Sequence, residues 1–373
     1  MKKLVLYTAS TDIHLLNFHV PYIELLSKIG YEVHVACNGN NKIPFAAKQY
    51  KIPFQRSPLN KRNFYSYKIL KGIIDNNNYA LVHCHTPSCG TITRLAARNA
   101  RKKGTKVIYT AHGFHFYKGA PLKNWLTFYP IEVLLSYITD GIITMNIEDY
   151  RRLNSSIFKS KSKYLIDGIG INPTRLQFDE TELLALKEEL QIDASDIIVL
   201  YIAEFIPRKN HQFIFQQIRK ITERNSKIKF LFSGGFASEK LKLEKMAIKE
   251  GVDDKVRFLG YRNDIGRIIA IAHLGVSSSK AEGLPIGVLE LMYNNIPVIA
   301  SNIRGHTDII TDAENGYLFD FDQAEKFTKK VLELSDNNQL RENLGYKAKQ
   351  SIEKFLLPNA VKNMSLIYDD FLD

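Results

Sequence analysis

Short apolar runs alternate with stretches of helical spacing along this chain, and the alternation occurs twice. Leu4-Val5-Leu6-Tyr7, Tyr31–Cys37, Ala80–His85, Lys106–Thr110 and Gly141–Met145 are unbroken apolar or near-apolar runs. A strand buried on both faces of a parallel sheet has this pattern, whereas a half-exposed strand alternates. Helical spacing runs from about Phe18 to Ile29 and stops at Gly30, a suitable residue after a helix end. A second helical stretch spans about Thr91 to Lys103. The cycle restarts at Ile197–Ala203 and continues through Lys229–Gly234, Val256–Gly260, Leu274–Ser277 and Pro297–Ala300. Strand–helix alternation predicts a parallel sheet with helices on both faces. Two cycles within 373 residues predict two such domains, because a single core rarely grows to that size. The fold class expected is therefore α/β, two Rossmann-like domains facing a cleft. The first domain covers residues 1–175 and the second residues 190–356, with a linker around 172–195. The amphipathic segment 357–373 follows the second cycle and is expected to pack back on the first domain. Open parallel sheets bind ligands beyond the carboxyl ends of their strands, so the residues after each strand carry the chemistry.

Composition adds little to the fold: 45% hydrophobic and 24% charged residues are ordinary for a globular protein. No apolar run approaches the ~20 residues that span a bilayer. The start, Met1-Lys2-Lys3 followed by a short apolar run, turns polar at Thr8 and reads as a first strand rather than a leader. Cys37, Cys84 and Cys89 are an odd number without zinc-like spacing, which suits a reducing cytosol. A metal set of Cys84 and Cys89 with His83 or His85 is the one alternative they offer. Charge is divided unevenly. Residues 1–178 carry 25 Lys+Arg against 9 Asp+Glu, and residues 179–373 carry 26 against 30. A basic half points to an anionic partner, either a membrane surface, a phosphorylated acceptor or nucleic acid, with mere solubility as the bland alternative.

The most informative segment is Ser278 to Met292. It follows a strand, opens a helix with Pro285 near its first turn, and carries Glu282 and Glu290 eight positions apart. A strand–glycine–helix junction offers free N–H groups and a positive dipole end to an anion. With Gly283, Leu284 and Pro285 between them, these glutamates resemble the signature of the retaining family-4 glycosyltransferases of the GT-B fold. The resemblance continues through Asn294–Ser301, Arg304-Gly305-His306 and Asn315–Leu318. It implies that Glu282 contacts the hydroxyls of a donor sugar and Glu290 the ribose of its nucleotide. Carboxylates suit both tasks as double acceptors. Tyr201 to His211 resembles the family's diphosphate-holding loop, with Lys209 matching the lysine. Glu204 stands where the family has an arginine, and neighbouring Arg208 is the candidate replacement. Gly234, Tyr261 and Arg262 match turns near the phosphates and base.

In the first domain, His112 in Thr110–His115 matches a histidine close to the donor sugar and reacting centre, where a neutral imidazole can donate or relay a proton. The first strand–helix loop lacks the glycines common in the family. Asp12, His14 and His19 are its acceptor-binding candidates, and His83 and His85 end another strand. Lys118 to Tyr129 interleaves lysines with Trp125, Phe128 and Tyr129. That pattern suits either anionic lipid or ordinary helix packing. The resemblance implies hexosyl transfer from a nucleotide sugar, UDP-linked by preference, to a saccharide or lipid-diphosphate-linked acceptor in surface polysaccharide synthesis. It implies no metal and no cofactor, a cytoplasmic location peripheral to the inner membrane, and no nucleic-acid partner. Two rivals remain: a nucleotide-sugar epimerase of the same architecture, and a non-catalytic sugar-nucleotide-binding protein.

Overall fold

The computed structural model describes residues 3–55, 60–235 and 239–372. The chain forms two compact units, one of residues 1–170 with 358–373, the other of residues 171–357. The first holds a seven-stranded sheet: β1 (Leu4–Thr11), β2 (Glu32–Asn38), β3 (Lys48–Lys51), β4 (Tyr79–His85), β5 (Lys106–Ala111), β6 (Gly141–Thr144) and β7 (Ser162–Leu165). Its order is β3-β2-β1-β4-β5-β6-β7, with every pairing parallel. The second holds β8 (Ile197–Ile202), β9 (Ile228–Ser233), β10 (Val256–Gly260), β11 (Leu274–Ser277), β12 (Val298–Ser301) and β13 (Tyr317–Phe319), ordered β10-β9-β8-β11-β12-β13 and again parallel. Both are Rossmann-like orders, and in each the strand sequence reverses direction beside the first strand, β1 or β8.

The apolar runs fill these sheets as their pattern demands. Val5, Leu6 and Tyr7 of β1 and Val199 and Leu200 of β8 are buried, as helices cover both faces. Three strands went unread in the sequence: β3, β7 and β13. β3 and β7 lie at a sheet edge and are too polar to stand out, and β13 is only three residues long. The first strand–helix junction also differs. β1 runs on to Thr11, and the expected loop is a helix, Asp12–Phe18, capped by the Thr11 hydroxyl. The stretch read as one helix from Thr91 to Lys103 is two, Pro87–Ala96 and Arg98–Lys102.

Residues 172–195 are not a free linker. Leu176, Leu186, Leu190 and Ile192 are buried in the core of the second unit. The helix Leu357–Asp369 lies in the first unit from Pro358 onward. Tyr368 is buried against His83 of β4, and Tyr164 of β7 donates to Asp370 at 2.7 Å. Gly141 leaves the room for Phe371: a Cβ there would lie 2.6 Å from its ring. Among the described residues no helix is long and apolar enough to cross a membrane.

Candidate functional site

In the second unit, the loops after β8 and β11 are stitched together through backbone carbonyls of the first of them. Lys280 N–H donates to the Arg208 carbonyl at 2.8 Å, and the Tyr201 hydroxyl donates to the Lys209 carbonyl at 2.7 Å. The Ser278 hydroxyl donates to the Asn210 carbonyl at 2.9 Å. This seam brings Lys209 Nζ to 2.6 Å from one oxygen of Glu282 and Arg208 Nη1 to 3.0 Å from the other. Burial alone would raise the Glu282 carboxyl, but the two cations overcome it and bring its pKa down to about 2. Arg208, the candidate replacement for an arginine at position 204, reaches Glu282, while Glu204 itself is exposed.

Glu282 is backed by the turn Arg304-Gly305-His306. Gly305 has φ +82°, and a Cβ on it would come within 2.9 Å of Glu282 Cβ, so glycine is required twice over. His306 is buried between β11 and β12, with Nε2 3.0 Å from the Ser277 hydroxyl and Nδ1 2.8 Å from the Ser301 carbonyl. Its place in the motif was legible, but this bracing role was not. Gly283, Leu284 and buried Pro285 lead into the helix Ile286–Tyr293, which begins just after the end of β11. Glu290 is buried within that helix, and burial, only partly offset by Arg175, lifts its carboxyl to about 7.

Of three expected donor contacts, two are engaged within the protein. The Gly234 N–H is taken by the Gly260 carbonyl at 2.8 Å, and a Cβ at Gly234 would sit 1.9 Å from the Ala203 carbonyl. This glycine serves close backbone packing. Arg262 pairs with Asp264 at 2.7 Å and Glu189 at 3.0 Å, which fixes its guanidinium on the protein. Tyr261 is exposed, with no role fixed by contacts.

In the first unit, the ends of β1, β4 and β5 collect histidines. His112 follows β5, and its Nε2 lies 3.4 Å from Nδ1 of His85. His19 Nε2 faces His14 Nε2 at 3.1 Å, and its Nδ1 meets the Tyr7 hydroxyl at 3.1 Å. Burial lowers the pKa of all these rings, to about 4 for His14 and well below the ordinary value for His19, His85 and His112, so they are neutral at pH 7. His83 is structural: its two nitrogens bond Tyr368 at 3.0 Å and Thr110 at 2.8 Å. Asp12, an acceptor-binding candidate, is engaged within the first unit. It is buried and accepts from Asn41 N–H at 2.9 Å, Asn41 Nδ2 at 2.8 Å and Ile13 N–H at 2.8 Å. Burial pushes its carboxyl up, and these bonds more than reverse the push. The cysteines form no metal set with His83 or His85. Cys84 Sγ approaches the Ile108 carbonyl at 3.4 Å, Cys89 Sγ the Thr8 hydroxyl at 3.5 Å, and burial raises both thiols.

A pocket of about 320 Å³ opens beside this cluster, lined by Ser10, Thr11, His14, Thr86, Ser88 and Phe128 among others. Thr86 holds φ +64°, strained for a β-branched residue, and its hydroxyl lies 2.6 Å from that of Ser10. No sequence signal pointed to Ser10, Thr86 or Ser88. In the segment 118–129, Trp125, Phe128 and Tyr129 pack inward against the Phe114–Phe116 cluster. The exposed large hydrophobic residues of helix Leu122–Ser136 are instead Leu122, Leu126 and Leu134.

This arrangement matches known proteins across both units. The family described as "Glycosyl transferases group 1" matches residues 184–351, and "Glycosyl transferase 4-like" matches residues 3–146. The EpsD glycosyltransferase of Bacillus subtilis (strain 168) is 39% identical over 100% of this chain and 98% of its own. The chain belongs to the GT-B glycosyltransferases of the family-4 type. A more distant relative is the UDP-Gal:α-D-GlcNAc-diphosphoundecaprenol α-1,3-galactosyltransferase of Escherichia coli, 23% identical over 82% of this chain and 78% of its own. Among solved structures, Anabaena HepE in complex with UDP and glucose superimposes with a TM-score of 0.80, at 14% identity over 99% of this chain and 100% of that one. That likeness speaks for the fold. The glycosyltransferase membership makes the chain a transferase enzyme.

Proposed function

We propose that this glycosyltransferase moves a hexosyl group from a UDP-sugar, with retention at the anomeric carbon, to a saccharide carried on a lipid diphosphate in surface polysaccharide synthesis. The observation that carries the reading is the Lys209–Glu282–Arg208 cluster at the carboxyl ends of β8 and β11. With donor bound, Lys209 and Arg208 turn part of their charge to the diphosphate, and the N–H groups of helix Ile286–Tyr293 add to it. Glu282 stays ionised and accepts the sugar hydroxyls, and Glu290 accepts from the ribose. The bond from the anomeric carbon to the diphosphate oxygen breaks. The acceptor oxygen bonds to that carbon from the same face, and its proton passes to the departing diphosphate. His112, neutral, donates to the sugar. No metal is needed at the diphosphate, since the two cations supply its countercharge.

The acceptor belongs to the first unit, in the pocket lined by Ser10, His14, Thr86 and Ser88. The E. coli relative, which by name acts on a diphosphoundecaprenol-linked sugar, supports a lipid-diphosphate acceptor. The excess of Lys and Arg over Asp and Glu in residues 1–178, together with exposed Leu122, Leu126 and Leu134, supports docking of this unit on the cytoplasmic face of an anionic membrane. The test is UDP release from a panel of UDP-, GDP- and ADP-sugars, with and without a lipid-diphosphate-sugar acceptor. Acceptor-dependent release from one UDP-sugar, lost in both Lys209→Ala and Glu282→Ala, is expected. Turnover that needs no acceptor and yields an isomeric nucleotide sugar would replace the reading with epimerisation.

A further inference from the structure

We propose that the buried Arg94–Glu132 ion pair is a positioning device for the acceptor, which fixes the width of the pocket in the first unit by holding two of its walls at one separation. The inference rests on the placement of the acceptor in that pocket. One wall is the start of helix Pro87–Ala96, with Thr86 and Ser88, and another is Phe128 of helix Leu122–Ser136. Neither Arg94 nor Glu132 lines the pocket. Each stands on the same helix face as a residue that does: Arg94 two turns after Pro87, Glu132 one turn after Phe128. Nη1 and Nη2 of Arg94 donate to the two carboxylate oxygens of Glu132 at 2.8 and 2.9 Å, and its Nε donates to the Gly90 carbonyl at 3.0 Å. The guanidinium lies over the Tyr109 ring of β5, 4.0 Å from its centroid. Gly90 lets the helix come this close, since a Cβ there would lie 2.6 Å from the same ring.

Stability alone does not account for the pair. Both members are buried, and taking two charges out of water costs about as much as their attraction returns, so apolar residues of similar size would join the helices as firmly. What apolar contacts lack is a single geometry. A bidentate fork fixes one distance and one plane, whereas apolar side chains slide. Two features of the pocket walls need such a constraint. Thr86, immediately before helix Pro87–Ala96, keeps φ +64°, a conformation that persists only where the surroundings over-determine it. Its side chain makes no capping bond to that helix, so the helix is held from further along, where Arg94 is. Pro130, between Phe128 and Glu132, removes one N–H from the helix ladder and leaves a soft point in the turn that joins the wall residue to its anchor. Phe128 stacks on His115 at 4.5 Å between ring centroids on one side of that point, and Glu132 is pinned on the other. Walls held in this way seat an acceptor in one orientation, which a reaction between two bound partners requires.

The experiment measures, in the full chain, kcat/KM for the lipid-diphosphate-saccharide acceptor, together with UDP affinity and melting temperature. The deciding variant is the apolar pair Arg94→Met/Glu132→Leu. It should melt near the wild type and bind UDP within about twofold of it, yet lose about tenfold to 10² in kcat/KM for the acceptor. A purely structural pair would show no such loss once the melting temperature is restored. If the apolar pair does not fold, Arg94→Lys, which keeps the charge and gives up the fork, is read by the same loss at unchanged UDP affinity. Ser10→Leu fills the pocket from β1 and separates this inference from the reading beneath it. Unchanged acceptor kinetics in Ser10→Leu take the acceptor out of the pocket, and the inference falls with it. A loss in Ser10→Leu beside wild-type acceptor kinetics in the apolar pair overturns the positioning role alone.

Discussion

The two units share a sheet order and differ in almost everything their strand ends display. Beyond β8 and β11, charge meets charge: Glu282 is clamped by Lys209 and Arg208. Beyond β1, β4 and β5, neutral rings meet one another: His14, His19, His85 and His112 lie close together without an ion pair among them in the described residues. The bulk charge runs the other way. The half with the excess of basic residues carries the uncharged cluster, and the slightly acidic half carries the ionic one. Net charge therefore says what surface a domain prefers, while the site's chemistry is set residue by residue on a common scaffold.

That contrast is breakable by mutation. Lys209→Ala should give the largest effect, a fall in kcat for sugar transfer of about 10²–10³, because it removes a cation aimed at developing negative charge. Single-turnover UDP release checks it, with Arg208→Ala as a second, smaller loss. His112→Ala should cost about 10–10² in the same assay, since a neutral donor contributes less than a charge to a departing diphosphate. An equal loss in both variants would erase the distinction between the units.

Glu290 sharpens the comparison by pH. Its carboxyl is raised to about 7 by burial, against the partial opposition of Arg175, so the folded chain holds this proton more tightly than the unfolded chain does. The resulting stabilisation is full below the ordinary glutamate range and falls as pH rises through about 7. Thermal melts should show the wild type losing stability relative to Glu290→Gln over that interval. Nucleotide affinity of the wild type should rise over the same interval, as the carboxylate becomes available to the ribose, and Glu290→Gln should flatten that rise. The smallest effect expected is for Tyr368→Phe, about 1 kcal/mol of unfolding free energy, from loss of the buried hydroxyl that meets His83 and Tyr7.

Legibility in the sequence followed distance along the chain. Glu282, Gly283, Pro285 and Glu290 fall within one strand–helix junction, so their relation is visible as spacing. Lys209 was legible for the same reason, and Arg208 beside it proved to reach Glu282. The bonds that hold Asp12 were not legible, because its partner Asn41 lies 29 positions away. His83 stayed ambiguous because what satisfies it, Tyr368, lies 285 positions away. The convergence of His14, His19 and His112 was likewise invisible, since only the parallel register of β1, β4 and β5 brings their strand ends together. Edge strands β3 and β7 escaped notice because a strand paired on one side needs no apolar run.

The 285-residue gap between His83 and Tyr368 also orders events during synthesis. The sheet of the first unit leaves the ribosome early, whereas the helix that covers β4 arrives only after residues 171–357 have been made. The second unit is continuous and can complete its core on the nascent chain, whereas the first must wait with a buried face uncovered. A chain stopped after residue 357 would thus hold a complete second unit and a first unit still lacking the helix that covers β4.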